Sequence, residues 1–181
     1  MDIRHLTGKD YKVSQWSGGT TTEVFIWPED ADYATRQFRL RISSATVELA
    51  ESDFTALPGV MRYIVPLSGS FTLNHPEKTP VTLRPLDTPY YFSGQTPTHC
   101  AGKATDFNLM LKGVEGNMEI CRETAQILPG VTCLYAPAGC GVRLEGKEFC
   151  LAAAEALLIF SQEEASATIT GDPVIRCYGN I

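Results

Sequence analysis

The sequence predicts an all-β protein in which one small β-unit occurs twice. Short runs of β-branched and aromatic residues alternate with turns, and 15 glycines and 11 prolines recur at short intervals. Helical periodicity is weak throughout the chain. This pattern is typical of an antiparallel barrel or sandwich rather than of a helical fold.

The duplication is indicated by three landmarks of the first half that return in the second half. These landmarks are the pairs Gly69 and Gly139, Leu83 and Leu151, and Phe92 and Phe160. The first pair is 70 residues apart and the other two pairs are each 68 residues apart. A nearly constant offset predicts two copies of one unit that differ slightly in the length of a hairpin.

The boundary between the two units is expected near Lys112, where Gly113 and Gly116 interrupt the apolar pattern. The predicted units are therefore residues 1–112 and residues 113–181. No linker composition is found at this point, so we expect the two units to pack tightly as one body.

Two strands of the first half alternate between apolar and polar residues. In one of them, Phe38, Leu40 and Ile42 share a face, and Arg41 and Ser43 lie on the other. If the apolar face packs outward against a second sheet, the arginine face lines a cavity. If the apolar face is the core, Arg41 points to solvent, and the alternation alone does not decide between the two arrangements.

The composition excludes several classes of function. The chain has 15 basic and 21 acidic residues with no basic cluster, which argues against nucleic acid as a partner. No apolar run is long enough to span a bilayer, and the start lacks the apolar stretch of a signal peptide. We therefore expect a soluble, cytoplasmic protein whose six cysteines are free thiols in apolar surroundings.

The segment Trp16–Glu23 has the most unusual local sequence, with two glycines followed by three threonines and an acid. The glycines allow a tight turn or a close approach to a ligand, and the threonines and Glu23 supply polar groups at the start of a strand. No lysine follows the glycines, so the segment is not a phosphate loop. A plain turn into an edge strand would produce the same sequence.

Five further polar residues are candidates for a ligand site. Arg41 and Arg62 would form a carboxylate clamp if they meet in one cavity, because each guanidinium offers a bidentate fork. Asp106 and Asn108 share a face of a second alternating strand and are candidates to orient an arginine or to contact the ligand. Ser43 lies on the same face as Arg41. A solvated or ion-paired surface position is the alternative for each arginine.

The histidines give no support for a metal cofactor. Only His5, His75 and His99 are present, and no His-x-His pair occurs. No two cysteines are separated by two residues, and no order of Ser, His and Asp or of Cys and His suggests a hydrolase. We expect no metal and no other cofactor.

Several of these motifs occur together and in an order that resembles the HutD/Ves family of bacterial bicupins. The motifs are Trp16–Glu23, Arg41–Ala45, Phe54 with Leu57–Arg62, Leu67–Gly69 and Asp106–Met110. The resemblance covers roughly the first 112 residues. It implies two tandem, jelly-roll-like β-barrels of the cupin type from one chain, often as a homodimer.

The resemblance also implies a function. Family members are associated with histidine utilisation or stress response and are thought to bind a small molecule. We expect a metal-independent protein that binds an anionic metabolite through Arg41, Arg62, Asp106 and Asn108 and that regulates or buffers it. The further predicted ligand-binding residues are Ser43, Glu23 and Trp16. The alternative is a cupin-type enzyme that acts on a formylated, formiminated or sugar acid, with Glu23 or Asp106 as the base. A third alternative is that the motif surface is a dimer interface. The second unit shows no comparable polar residues and is expected to be structural.

Overall fold

The computed structural model describes all residues from Met1 to Ile181. Its regular structure consists of nineteen β-strands and one short 3-10 turn, Tyr33–Thr35 (η1). The predicted all-β fold class is confirmed. The structure contains no helix with the length and hydrophobicity needed to cross a membrane.

The chain forms two compact units, which are Lys12–Gly113 (the first unit) and Met1–Tyr11 together with Val114–Ile181 (the second unit). The break after Gly113 lies one residue from the division expected at residue 112. The first eleven residues were expected in the first unit and lie in the second instead. The reason is β1 (Asp2–Leu6), which pairs antiparallel with β17 (Glu155–Ser161).

The first unit contains a six-stranded sheet of order β2-β3-β4-β11-β6-β9 and a four-stranded sheet of order β5-β10-β7-β8. All of its strand pairs are antiparallel. Its strands are β2 (Lys12–Trp16), β3 (Gly19–Trp27), β4 (Leu40–Val47), β5 (Glu51–Asp53), β6 (Val60–Gly69), β7 (Phe71–Asn74), β8 (Val81–Leu83), β9 (Tyr90–Ser93), β10 (His99–Ala101) and β11 (Ala104–Lys112).

The second unit contains a five-stranded sheet of order β1-β17-β14-β19-β12 and a four-stranded sheet of order β13-β18-β15-β16. An apolar core that includes Leu134, Leu144, Leu157 and Ile159 packs inside it, and all four side chains are at most 1% exposed. Its remaining strands are β12 (Gly116–Cys121), β13 (Thr124–Ile127), β14 (Gly130–Ala136), β15 (Cys140–Leu144), β16 (Lys147–Leu151), β18 (Ala165–Gly171) and β19 (Val174–Gly179).

The strand orders of the two units repeat. The run β4-β11-β6-β9 of the first unit corresponds to β12-β19-β14-β17 of the second, and β5-β10-β7-β8 corresponds to β13-β18-β15-β16. Each large sheet is then extended at a different edge. In the first unit β2 and β3 continue beyond β4, whereas in the second unit β1 continues beyond β17. The spacing of glycine, leucine and phenylalanine in the sequence therefore reflects a repeated topology.

Candidate functional site

A cavity of about 350 Å³ lies within the first unit, walled by the large sheet and by residues of β5 and the segment after it. Arg41, Ser43, Arg62, Asp106 and Asn108 all line this cavity. All five are buried, with exposed fractions between 2% for Ser43 and 7% for Arg62. The arginine face of β4 therefore points into the cavity, and the solvent-exposed alternative for Arg41 is wrong.

The strand register explains why these side chains meet. Strand β11 lies between β4 and β6, and Met110 is paired with Arg41 on one side and with Arg62 on the other. Because neighbouring strands are about 4.8 Å apart, the backbones of the two arginines are about 10 Å apart, with both side chains on one face. Asn108 pairs with Ser43 in the next row of the same face.

Two irregularities in the large sheet occur next to the acidic residues of the site. Strand β3 pairs with β4 through Glu23 opposite Ser43 and then Phe25 opposite Ile42, so Val24 is an extra residue. Strand β11 shifts its register against β6 between Thr105 and Asp106. Bulges of this kind re-aim a side chain. The first bulge puts Glu23 in the same row as Ser43.

Arg41 is held by an ion pair and by an aromatic ring. Its Nε donates to Glu23 Oε2 at 2.6 Å, and the two side chains are 7% and 13% exposed. Its Nη1 donates to Ser43 Oγ at 3.4 Å. The guanidinium carbon also lies 3.9 Å from the centre of the Tyr33 ring. Glu23 therefore serves the site by orienting Arg41 rather than by lining the cavity.

Arg62 is linked to Asp106 through Asn108. The Nη2 atom of Arg62 donates to Asn108 Oδ1 at 2.7 Å, and Asn108 Nδ2 in turn donates to Asp106 Oδ1. The Arg62 guanidinium carbon lies 4.7 Å from the centre of the Phe54 ring. Its Nε is buried and has no hydrogen-bond partner. The desolvation cost of this donor is therefore not compensated in the ligand-free protein.

Burial shifts the pKa values of Asp106 and Arg62. Removal from water raises the pKa of Asp106 from 3.8 to about 7, although Arg62, the backbone N–H of Ala45 and Asn108 all favour the charged form. Burial also lowers the pKa of the Arg62 guanidinium, an effect that the charge of Asp106 opposes. Near neutral pH the Asp106 carboxyl is therefore able to gain or lose a proton.

Trp16 lies at the edge of the cavity. It ends β2, lines the cavity and is 43% exposed. Its ring packs over Gly18, where an added Cβ would meet the ring carbon Cζ3 at 2.1 Å. Ser17 and Gly18 form the two-residue turn of the β2–β3 hairpin, and Gly19 begins β3 opposite Trp16. The segment is therefore a turn, as the simpler interpretation predicts, but β3 lies between β2 and β4 and is not an edge strand.

Three residues of the site were not found by sequence reasoning. Tyr33 and Arg36 come from the η1 turn and the residue that follows it, and Phe54 follows β5. All three line the cavity. The one local signal for the turn is Asp32, whose side chain accepts a hydrogen bond from the Ala34 N–H at 2.9 Å.

The second unit also contains a buried polar group, contrary to expectation. Arg176 on β19 is 1% exposed, and its Nε donates to the backbone oxygen of Gln126. Its Nη1 donates to Asn117 Oδ1 at 3.0 Å and lies 3.4 Å from Glu119 Oε2. Arg176 lies on β19, which corresponds to β11 in the repeated strand order, and it pairs with Leu134 on β14. Sequence reasoning missed it because one arginine in an apolar strand gives no pattern.

Solved structures with the same fold are similar over nearly the whole chain. PA5104 of Pseudomonas aeruginosa, a conserved protein of unknown function, is 24% identical, with a TM-score of 0.81 and coverage of 98% of this chain and 97% of its own. HutD of Pseudomonas fluorescens is 21% identical, with a TM-score of 0.80 and coverage of 98% and 99%. The bacterial pirin YhhW of Escherichia coli, in complex with nickel(II), is 10% identical, with a TM-score of 0.64 and coverage of 98% of each chain.

The residues of the cavity do not fit a metal ion such as the one that YhhW binds. No group of three or more His, Cys, Asp or Glu side chains is arranged to hold a metal. The buried wall instead presents the guanidinium groups of Arg41 and Arg62, which are hydrogen-bond donors and have no lone pair to offer a metal.

The similarity to these structures establishes the fold, and the sequence itself establishes the family. No curated protein matches the chain significantly. The profile of the HutD family, however, matches residues 8–175, which is almost the entire sequence. The chain therefore belongs to the HutD family.

Proposed function

We propose that this HutD-family chain binds a small carboxylate metabolite, without a metal, in the cavity of the first unit. The observation that carries the proposal is the convergence of three arginines, Arg36, Arg41 and Arg62, on one cavity. A carboxylate oxygen is the acceptor that a guanidinium N–H binds most strongly. The volume of about 350 Å³ is at the lower end of the range of small-molecule sites.

The rest of the wall supports a small, partly planar ligand. Tyr33, Phe54 and Trp16 supply aromatic surface, and Asn108 and Ser43 supply hydrogen-bonding groups. Such a mixture of apolar surface and a few fixed polar groups is typical of ligand pockets. The polar groups are held by neighbours before any ligand arrives, which lowers the entropic cost of binding.

The proposed role is regulatory or metabolite-buffering, in connection with histidine utilisation or stress response. This part of the proposal is supported by membership of the HutD family and by the resemblance described above. The cytoplasmic location, the homodimer and the absence of a nucleic-acid partner stay predictions from the sequence.

The proposal is tested by a thermal-shift screen of metal-stripped protein against small carboxylates, followed by calorimetry of the hits. A ligand at about 100 times its dissociation constant adds roughly 2.7 kcal/mol to the free energy of unfolding. We expect a shift for the native protein that is lost in Arg62→Ala and retained in Arg84→Ala, because Arg84 is exposed and lies outside the cavity. No shift with any carboxylate would contradict the proposal.

A second candidate function is an enzyme that uses Asp106 in general acid–base catalysis. The observation in its favour is the pKa of Asp106, which burial raises to about 7 and so brings close to the operating pH. Turnover of a formylated or formiminated acid that is abolished in Asp106→Asn would support this candidate. Binding without product formation would support the buffering role instead.

A further inference from the structure

Arg36 is distinguished among the three arginines that line the cavity by having no carboxylate partner. Arg41 is paired with Glu23 at 2.6 Å. Arg62 is connected through Asn108 to Asp106, whose charge acts on it electrostatically. Arg36 makes no salt bridge, and its side chain donates only to the backbone oxygen of Tyr33, from Nη1 at 2.9 Å.

The Arg36 guanidinium keeps most of its hydrogen-bonding capacity. An arginine has five N–H donors in a fixed fork, and one hydrogen bond leaves four of them. The guanidinium carbon lies 3.9 Å from the centre of the Tyr33 ring, and the side chain is half-buried. A stacked and partly desolvated guanidinium binds a carboxylate more strongly than a fully hydrated one.

The backbone of Arg36 is fixed in an unusual conformation. Its φ of 59° and ψ of 19° lie in the left-handed region, which costs a non-glycine residue free energy. The conformation is secured from two sides. The Arg36 N–H donates to Tyr33 O at 3.1 Å, and Lys112 Nζ donates to Arg36 O at 2.6 Å. The Arg36 side chain therefore extends to the cavity wall from a backbone whose conformation is fixed.

The three arginines of the cavity differ in whether a carboxylate lies close to them. When Asp106 is ionised, Arg41 and Arg62 each have a carboxylate close by, in Glu23 and Asp106, whereas Arg36 has none. The remaining acid of the lining, Asp53, is exposed and is bound to His99 Nδ1 at 2.9 Å. We propose that Arg36 selects the charge of the ligand by binding its carboxylate, while Arg41, Arg62 and Asn108 hold neutral polar parts of the same molecule. This inference rests on the proposed function and names a monoanionic carboxylate as the ligand class.

The test compares a carboxylate with the amide of the same shape. Calorimetric titrations with 4-hydroxybenzoate and 4-hydroxybenzamide, and with glycolate and glycolamide, are run at pH 8, where most of Asp106 is ionised and Arg62 keeps its counter-charge. The hydroxyl group of each probe supplies a neutral polar part for Arg41, Arg62 and Asn108. We expect the native protein to bind each acid at least tenfold more tightly than its amide, and Arg36→Gln to bind both forms nearly equally. Arg36→Lys keeps the charge and loses the planar fork, so we expect it to retain part of the preference.

Two further variants separate this role from general damage to the site. Arg39→Gln removes an exposed arginine outside the cavity and is expected to leave both affinities unchanged. Arg41→Gln is expected to weaken acid and amide by a similar factor, so that their ratio persists. A native-like preference for the acid in Arg36→Gln, with a native melting temperature, overturns the inference while leaving the proposed function in place. Absence of binding of every carboxylate by the native protein, in these titrations and in the thermal-shift screen, removes the proposed function itself and this inference with it.

Discussion

Arg62 and Arg176 are both buried, but their hydrogen bonds assign them different tasks. The Nε and Nη1 atoms of Arg176 are bound to Gln126 and Asn117. The Nη2 atom of Arg62 is bound to Asn108, and its Nε has no partner. A buried donor without a partner lowers the stability of the free protein. Arg176 therefore has the features of a structural residue, whereas Arg62 has those of a residue kept for binding.

This contrast predicts that replacement by methionine lowers the free energy of unfolding by different amounts at Arg176 and at Arg62. Arg176→Met removes a satisfied, fully buried guanidinium and leaves the backbone oxygen of Gln126 and the side chain of Asn117 without their donor. We expect it to lower the free energy of unfolding by about 3–5 kcal/mol. Arg62→Met removes an unsatisfied donor together with the hydrogen bond to Asn108, and at pH 5 the protonated Asp106 is not left as an unpaired charge. At that pH its cost should therefore be at most about 2 kcal/mol. Urea unfolding of both variants measures the difference, and equal costs would contradict the assignment.

Asp106 makes stability depend on pH in the direction opposite to that of most acids. Its pKa of about 7 in the folded protein is above its ordinary value of 3.8, so the folded state holds a proton that the unfolded state has already released. This contribution is fully present below pH 3.8 and is lost as the pH rises through 7. We expect the free energy of unfolding of the native protein, relative to that of Asp106→Asn, to fall between pH 5 and pH 8. Urea titrations at the two pH values measure it, and a difference that rises with pH would refute this prediction.

At the scale of elements, the hairpin of β2 and β3 depends on one glycine. Gly19 has a φ of 155°, and an added Cβ would lie 1.9 Å from the backbone oxygen of Thr46 on β4. Gly59 also has a positive φ, of 73°, but an added Cβ there would meet no atom within 4 Å. A substitution at Gly19 therefore tests a steric clash between strands, and a substitution at Gly59 tests conformational strain alone.

Alanine substitution at these glycines is expected to give unequal results. Gly59→Ala should cost about 1 kcal/mol, which is the strain of a left-handed conformation. Gly19→Ala should cost more than about 2 kcal/mol because backbone atoms of two strands must separate. It should also weaken ligand binding, since β2 carries Ser14 and Trp16 into the cavity wall. Denaturation and calorimetry of the two variants check both parts, and an equal loss of stability would contradict the steric explanation.

The sequence predicted those parts of the site that lie on regular strands. Alternation placed Arg41 with Ser43 and Asp106 with Asn108, and the structure keeps each pair on one face. It did not reveal which face points inward, because a strand of period two is symmetric in this respect. Bulges were also beyond prediction, since the extra Val24 has the composition of any strand residue. Tyr33 and Arg36 come from an irregular segment whose path is set by tertiary contacts such as the one from Lys112.

At the scale of the whole molecule, the two units share a strand order but differ in what their buried polar residues contact. The corresponding strands β11 and β19 each carry a buried polar residue, Asn108 and Arg176. In the first unit Asn108 belongs to a polar wall around a cavity of about 350 Å³. In the second unit Arg176 directs its guanidinium to protein atoms and is 1% exposed. We infer that the repeat retained its strand order while its buried polar residues came to line a cavity in the first unit and to bind protein atoms in the second.

This division predicts where a ligand should protect the backbone. All residues that line the cavity belong to the first unit, and most of them lie on β3, β4, β6 and β11 or in the segments around η1 and β5. Binding stabilises the folded state locally, so hydrogen exchange should slow in these elements when a carboxylate found by calorimetry is added. The equivalent strands β12, β14 and β19 should change less. Mass spectrometry of exchanged peptides measures this, and Arg62→Ala with the same ligand provides the control. Protection centred on β19 and Arg176 would instead place the ligand in the second unit and reverse the division of roles.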